Sequence, residues 1–257
     1  MNILKKIANY TMEVVYPSNV KCAHCNREIP TSVADKYLCV ECFCKIATIS
    51  GKTCLMCGEP LISQAKYCLR CKKTTFNFSH AYSYGAYEGL LKQLIHNFKF
   101  NNKPYLYKSL AHMLVLAYIL QVQPKHKIDA VTYVPIHSQR LKMRGYNQCE
   151  LLAHEFCKNT QLTLYKNLLT KTKHTKAQAN LPLDERKTNL KNAFEITNKD
   201  IVCGKTILLI DDIFTTGSSC EECATVLKKY GAHEVIVLTV AHTILNNVKG
   251  GLNNENK

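Results

Sequence analysis

Apolar residues fall along this chain in two contrasting patterns. An unbroken apolar or β-branched run occupies Thr206–Ile210, and residues 128–134 (Ile-Asp-Ala-Val-Thr-Tyr-Val) and 234–240 (Glu-Val-Ile-Val-Leu-Thr-Val) are largely apolar or β-branched. Runs without alternation are expected of strands buried on both faces, as in a parallel sheet. A shorter run, Ala81–Gly85, reads as an edge strand. Elsewhere the spacing turns helical: residues 89–98, a long and largely buried stretch over 105–122, about 147–158, and the segment leading to Gly231 with Ala224, Val226 and Leu227 apolar. Strands alternating with helices predict an α/β body with a parallel sheet flanked by helices. Residues 1–16 form an amphipathic pattern (Ile3, Leu4, Ile7, Met12, Val14, Val15) stopped by Pro17, which predicts a short helix docked on the body. The chain from Asn246 is rich in Asn, Gly and Lys and is expected to be a disordered polar tail.

Cysteine changes this picture most. Four Cys-x-x-Cys pairs stand within residues 22–71: Cys22/Cys25, Cys39/Cys42, Cys54/Cys57 and Cys68/Cys71. Such a turn aims two thiolates at one metal, and two turns complete a tetrahedron. Asn26 and Gly58 follow the second cysteine of their pairs, where a metal knuckle needs a tight turn. Two structural zinc ions in closed four-cysteine sites are expected. Sequential pairing gives two ribbons; interleaved pairing, and Cys44 in place of Cys42, stay open. The expected domains are residues 1–21 as a lead-in, 22–75 as a double zinc ribbon, 76–245 as the α/β body and 246–257 as the tail.

The strand at Thr206–Ile210 is followed by Asp211 and Asp212, which are expected to end it. Then come Thr215, Thr216, Gly217, Ser218 and Ser219, opening a helix. In open α/β sheets ligands sit at the carboxyl ends of strands. A helix N-terminus ringed by hydroxyls suits an anion, and a glycine lets the backbone approach it. Paired acids suit sugar hydroxyls or a hydrated Mg²⁺. After the strand at 128–134, Pro135, Ile136 and His137 precede Arg140, Lys142 and Arg144. They read either as a second anion subsite or as a solvated loop with a structural histidine. Residues 168–194 are polar, basic and poorly periodic: a flap over a ligand, or an exposed loop.

The formal net charge is +15, and its excess lies before residue 201. Such a balance favours polyanions: nucleic acid, phosphorylated ligands or an anionic membrane face. Two zinc tetrathiolates would lower it to about +11. Residues 72–103 interleave lysines with Phe76, Phe78, Tyr82, Tyr84, Tyr87 and Phe100. That mixture suits single-stranded nucleic acid, and equally a packed core. Residues 1–16 lack a secretory pattern, and the apolar run 110–120 looks too short to span a bilayer. A cytoplasmic protein with reduced or metal-bound thiols is therefore expected, with peripheral membrane association left open.

The string Lys205–Ser219 resembles the phosphoribosyl pyrophosphate (PRPP) loop of type I phosphoribosyltransferases. With it stand Tyr16–Cys25 (Tyr-Pro-x-x-x-x-Cys-x-x-Cys), the stretch Tyr87–Phe100 and the stretch Val134–Gln148. Together they make the chain similar to the ComF/GntX family. That resemblance implies a type I phosphoribosyltransferase-like parallel sheet flanked by helices, preceded by a small double zinc-ribbon domain. It implies that PRPP binds with Mg²⁺: Asp211 and Asp212 on the ribose and metal, residues 215–219 on the 5′-phosphate. Ile136, His137, Arg140 and Arg144 become the pyrophosphate loop. Gln178, Leu181, Arg186 and Asn189 match the flexible loop. The segment from about His242, where a nucleobase hood is expected, shows no base-reading pattern. The family further implies handling of single-stranded DNA during natural transformation, alongside DNA-uptake helicase or recombination partners. The other expectation is an active transferase with a nitrogenous acceptor.

Overall fold

A computed structural model describes residues 21–30, 37–173, 190 and 192–244. The expected N-terminal helix, the polar tail and the centre of the flap lie outside the described residues. The Cys-rich part carries two short helices, α1 (Val40–Cys44) and α2 (Leu69–Lys73). The body follows as β1 (His80–Ala86), α3 (Gly89–Phe100), α4 (Tyr107–Ala117), β2 (Ala130–Tyr133), α5 (Ser138–Arg144) and α6 (Gln148–Thr160). It continues with β3 (Leu169–Lys171), β4 (Phe194–Ile196), β5 (Thr206–Phe214), α7 (Ser218–Lys229) and β6 (Glu234–His242).

Strands β1, β6, β5 and β2 form one parallel sheet in that order. The central strands β5 and β6 are buried along nearly their whole length. Helix α4 packs on β1 and β6, α6 on β2 and β5, and α7 on β6. This cover is why those strands read as continuous apolar runs. Helices α3, α4, α6 and α7 likewise follow their expected apolar faces.

Three expectations change. Strand β5 does not stop at Asp211; it continues to Phe214, because β6 runs beside it with Asp211 opposite Thr239 and Phe214 opposite His242. β2 leaves earlier, at Tyr133, and its last link is Val134 N–H to the Ile210 carbonyl, 2.9 Å. The two carboxylates therefore stand where one neighbouring strand has departed. Second, residues 138–144 are a helix, not a loop. His137 caps it, its Nδ1 accepting from Gln139 N–H at 3.3 Å, and Gly145 closes it at φ 79°. Its polar composition hid it, since no apolar face repeats. Third, the apolar run 110–120 belongs to a continuous 19-residue helical stretch, Pro104–Val122, long and apolar enough to cross a membrane by length and composition. Its buried side chains Leu110, Met113, Leu114 and Ala117 sit in the α/β core.

Both edges of the sheet are covered. Residues 163–165 pair with β2 through Val131. At the other edge the ribbon pairs with β1: Ile49 N–H donates to the Tyr84 carbonyl (2.9 Å) and Ala86 N–H to the Ala47 carbonyl (3.0 Å). Unpaired edges invite aggregation, so the ribbon protects the body. The interleaved aromatics resolve mostly into core: Phe78, Tyr82, Tyr84 and Phe98 are buried, whereas Phe100 is exposed with the Arg144 guanidinium 5.2 Å from its ring centre.

Gly58 lies where the second ribbon meets β1, at φ +74°; a Cβ there would come 2.2 Å from the Ala81 carbonyl oxygen. Gly204 has a similar φ of +70° but open space around it. Gly204→Ala is expected to cost about 1 kcal/mol, the left-handed penalty alone. Gly58→Ala is expected to cost about 3 kcal/mol, adding the backbone collision. Denaturant unfolding of the two zinc-loaded variants checks this; equal losses would contradict the close approach.

Candidate phosphate site and metal centres

Strand β5 carries Asp211 and Asp212 into the interior in succession. Lys99, from the last turn of α3, meets Asp212 with Nζ 2.8 Å from each carboxylate oxygen. Burial works against the lysine charge, but Asp212 outweighs it and holds the Lys99 pKa above its ordinary value. Asp211 has no such ion pair among the described residues. Its Oδ1 accepts from Asp212 N–H (2.8 Å) and from the Cys149 thiol (3.2 Å), and its Oδ2 lies 3.6 Å from the Cys220 thiol. Burial first, and the Asp212 charge second, push its pKa up to about 6. The same burial, with Asp211 adding to it, keeps Cys149 and Cys220 well above their ordinary pKa, so both act as neutral donors.

Beyond Phe214 the chain turns through 215–217 into α7. Gly217 takes φ 77°, and a Cβ there would lie 2.6 Å from the Phe214 ring. Thr216 Oγ1 and Ser218 Oγ are 2.7 Å apart. Gly217, the N-cap of α7, has no side chain to cap it, and Thr216 Oγ1 accepts from Ser218 N–H at 3.4 Å. Its first-turn N–H groups and these hydroxyls form a ready anion cradle. Pro135–His137 leave the sheet beside Asp211, because Val134 pairs with Ile210. Ile136 and His137 are half-buried there. Arg144 Nη1 donates to Gln148 Oε1 at 2.6 Å. Burial, and then Arg144, lower the Arg140 pKa. Burial, and then Arg140, lower that of Lys171 on β3 to about 8. Gln178, Leu181, Arg186 and Asn189 lie outside the described residues; β3 and β4 form the antiparallel stem on either side of them.

The eight ribbon cysteines form two groups, Cys22/Cys25/Cys39/Cys42 and Cys54/Cys57/Cys68/Cys71. Pairing is sequential, not interleaved. Cys42 is buried within its group and Cys44 is exposed outside it. Cys25 and Cys39 sulfurs are 3.7 Å apart, as are those of Cys57 and Cys68. A tetrahedron with Zn–S bonds of about 2.3 Å has edges of about 3.8 Å, so these groups fit zinc. The Cys57 and Cys71 thiols donate toward Cys54 and pull its pKa far below the ordinary thiol value, while Cys54 in turn raises that of Cys57 to about 12. One thiolate, at Cys54, is thus favoured in the metal-free group, while Cys57 and Cys71 hold their protons until a cation displaces them.

A double zinc ribbon joined to a phosphoribosyltransferase-type α/β domain is the class this architecture defines. Residues 11–72 match the double zinc ribbon domain, and residues 144–250 match the phosphoribosyl transferase domain. Competence protein F of Haemophilus influenzae is 32% identical over 227 residues, covering 87% of this chain and 97% of that protein. The DNA utilization protein YhgH of Escherichia coli is 30% identical over 205 residues, covering 78% and 89%. Competence protein ComFC of Bacillus subtilis is 24% identical over 203 residues, covering 77% and 80%. The chain belongs to the family of competence protein F.

Sequence reasoning reads Lys99 only as one of the lysines interleaved with aromatics over residues 72–103 and gives Cys149 and Cys220 no part. Lys99 does carry a signal: in Tyr87–Phe100 it is a charge one residue from the buried Phe98. A carboxyl whose folded pKa exceeds its unfolded value binds protons more readily when folded. Stability then falls as pH rises from about 4 to about 6 and stays lower above. Asp211→Asn is therefore expected to stabilise the protein at about pH 7.5, by on the order of 2 kcal/mol, with the gain vanishing near pH 4. Thermal unfolding across that range checks the sign.

Proposed function

We propose that this protein is a competence-type DNA-utilization factor whose phosphoribosyltransferase domain binds PRPP with Mg²⁺ and which handles single-stranded DNA during uptake. The observation that carries the reading is the succession on β5: a half-buried and a buried carboxylate, then a hydroxyl-rich turn opening a helix at Gly217. Residues 215–219 hold the 5′-phosphate with backbone N–H groups and hydroxyls. Asp211 and Asp212 accept from the ribose hydroxyls and are the residues to hold hydrated Mg²⁺, for which two hard oxygen donors are suited. Bound Mg²⁺ supplies charge neutralisation at the pyrophosphate. Ile136, His137, Arg140 and Arg144 face that group, and Gln178, Leu181, Arg186 and Asn189 belong to the segment that covers it. Lys99 pairs with Asp212 in the free protein and yields it to, or shares it with, the ligand.

The basic balance of +15 supports a polyanionic partner. So do the names of the relatives, which speak of competence and DNA utilization. A second reading, an active transferase acting on a nitrogenous acceptor, is favoured by the surroundings of Asp211: burial, and then the Asp212 charge, push its pKa up to about 6, where a carboxyl can exchange protons near neutral pH. The two readings share the PRPP site and differ in turnover.

Calorimetry should show Mg²⁺-dependent PRPP binding that is lost in Asp211→Asn/Asp212→Asn. A folded, zinc-loaded protein that binds no PRPP would overturn the site. Single-stranded DNA should bind with a steep log–log salt dependence; salt-insensitive or absent binding removes the DNA role. PRPP consumption with any base or amine in an acceptor panel decides for the transferase.

A further inference from the structure

The second ribbon touches the anion turn directly. Arg70 lies between two ligands of the second four-cysteine group, in Cys68-Leu-Arg-Cys71. Its Nη1 donates to the Thr215 carbonyl at 3.1 Å, 145 residues away in sequence. The guanidinium carbon sits 5.8 Å from the centre of the Phe214 ring. That ring is the surface against which Gly217 packs. The arginine's other two N–H-bearing atoms, Nε and Nη2, are buried and, the Cys57 sulfur apart, find no hydrogen-bond partner among the described residues. Buried N–H groups without partners are rare and need an explanation. Around them stand the sulfurs of Cys57 and Cys71 and the Glu59 carboxylate, all favouring the arginine charge. Four thiolates round one Zn²⁺ carry a net charge of about −2, and such sulfurs accept hydrogen bonds from an outer shell of donors.

A second connection runs in parallel. The buried His242 ring stacks on Phe214, with centroids 5.0 Å apart, and its Nε2 lies 3.0 Å from the Cys57 carbonyl oxygen. Thr243 N–H donates to the Phe214 carbonyl at 2.8 Å. Phe214, Thr215 and Gly217 are thus fixed from below by the second metal group, the one whose ligands flank Arg70.

We infer that zinc at the Cys54/Cys57/Cys68/Cys71 site and phosphate at residues 215–219 are thermodynamically linked, with Arg70 as the positioning residue that joins them. The inference rests on the proposed phosphate role of that turn. With zinc bound, the thiolate charge holds the orphaned end of the guanidinium, and the opposite end holds Thr215 in place for the anion. With zinc lost, Arg70 keeps its charge but loses the partner that orients it. Linkage is reciprocal, so a phosphate on the turn must tighten zinc at this site by the same factor that zinc tightens the phosphate.

The test is equilibrium competition for zinc by a chromophoric chelator, on the full chain, with and without saturating ribose 5-phosphate. Cysteine alkylation read by peptide mass spectrometry identifies which four thiols gain protection. The second site is expected to tighten at least about fivefold and the first site not at all, in line with ordinary coupling strengths. Arg70→Gln and Arg70→Lys, both checked for two bound zinc ions and native unfolding, should reduce the shift to less than about twofold. Arg70→Lys keeps a cation but lacks the fork that spans sulfur and carbonyl. Equal shifts at both sites, no shift in wild type, or a full shift in Arg70→Gln overturns the linkage. Calorimetry on the same samples separates the two failures. Ribose 5-phosphate that does not bind removes the phosphate turn and the linkage with it; ribose 5-phosphate that binds without moving zinc removes the linkage alone.

Discussion

Two ionisable acids on the central strand of a buried parallel sheet set the problem that the rest of this body solves. An unpaired carboxylate in such surroundings costs several kcal/mol. Three helices answer it, each with one side chain: α3 brings Lys99 to Asp212, α6 brings Cys149 to Asp211, and α7 brings Cys220 to the other oxygen of Asp211. The solutions differ in kind. Asp212 is neutralised by a full charge, whereas Asp211 receives a backbone N–H and two weak thiol donors and drifts toward protonation. The two adjacent acids thus stand in unlike surroundings, one ion-paired and one held by weaker donors.

The strands were legible because burial on both faces leaves no polar positions to confuse the reading; β5 and β6 are the clearest cases. The two cysteine tetrads were legible because metal chemistry fixes spacing, and each pair turned up where its tetrahedron requires. The length of β5 was not. Its end depends on how far β6 accompanies it, a property of the neighbour rather than of the acids themselves. Helix α5 was missed because its caps, His137 and Gly145, hold it without an apolar face. Lys99 and Arg70 were hidden for a common reason. A lysine or arginine usually reaches water, and nothing local distinguishes one that turns inward to a partner more than 100 residues away.

The ribbon is more than an appendage in this architecture. Its backbone pairs with β1 and closes the edge that the sheet would otherwise expose. Gly58 lets it approach within reach of Ala81, and Ala81 N–H donates to the Met56 carbonyl at 2.8 Å. A four-cysteine metal knuckle has little apolar core of its own and owes its order to metal. Here it also borrows from the body, since Cys22, Cys54 and Cys57 are as buried as the sheet's own valines. Metal binding and body packing therefore support each other across one continuous interior.

That continuity bears on how the site at β5 can work. A ligand at Asp212 competes with Lys99, and an ammonium–carboxylate pair this enclosed is strongly coupled. Its release must be offset by new contacts made in the same event. Hydroxyls from a sugar and the charge of a hydrated cation can satisfy the carboxylate, while an anion can satisfy the freed lysine. A ligand bearing all three features exchanges partners without leaving a charge alone, whereas a bare phosphate on residues 215–219 leaves the pair untouched. On the proposed reading the acids discriminate by requiring a complete set of groups, and the turn is the part that would take any member carrying a phosphate. Both proposed roles, selectivity on β5 and affinity on the turn beyond it, depend on the same four-residue extension of one strand past its neighbour.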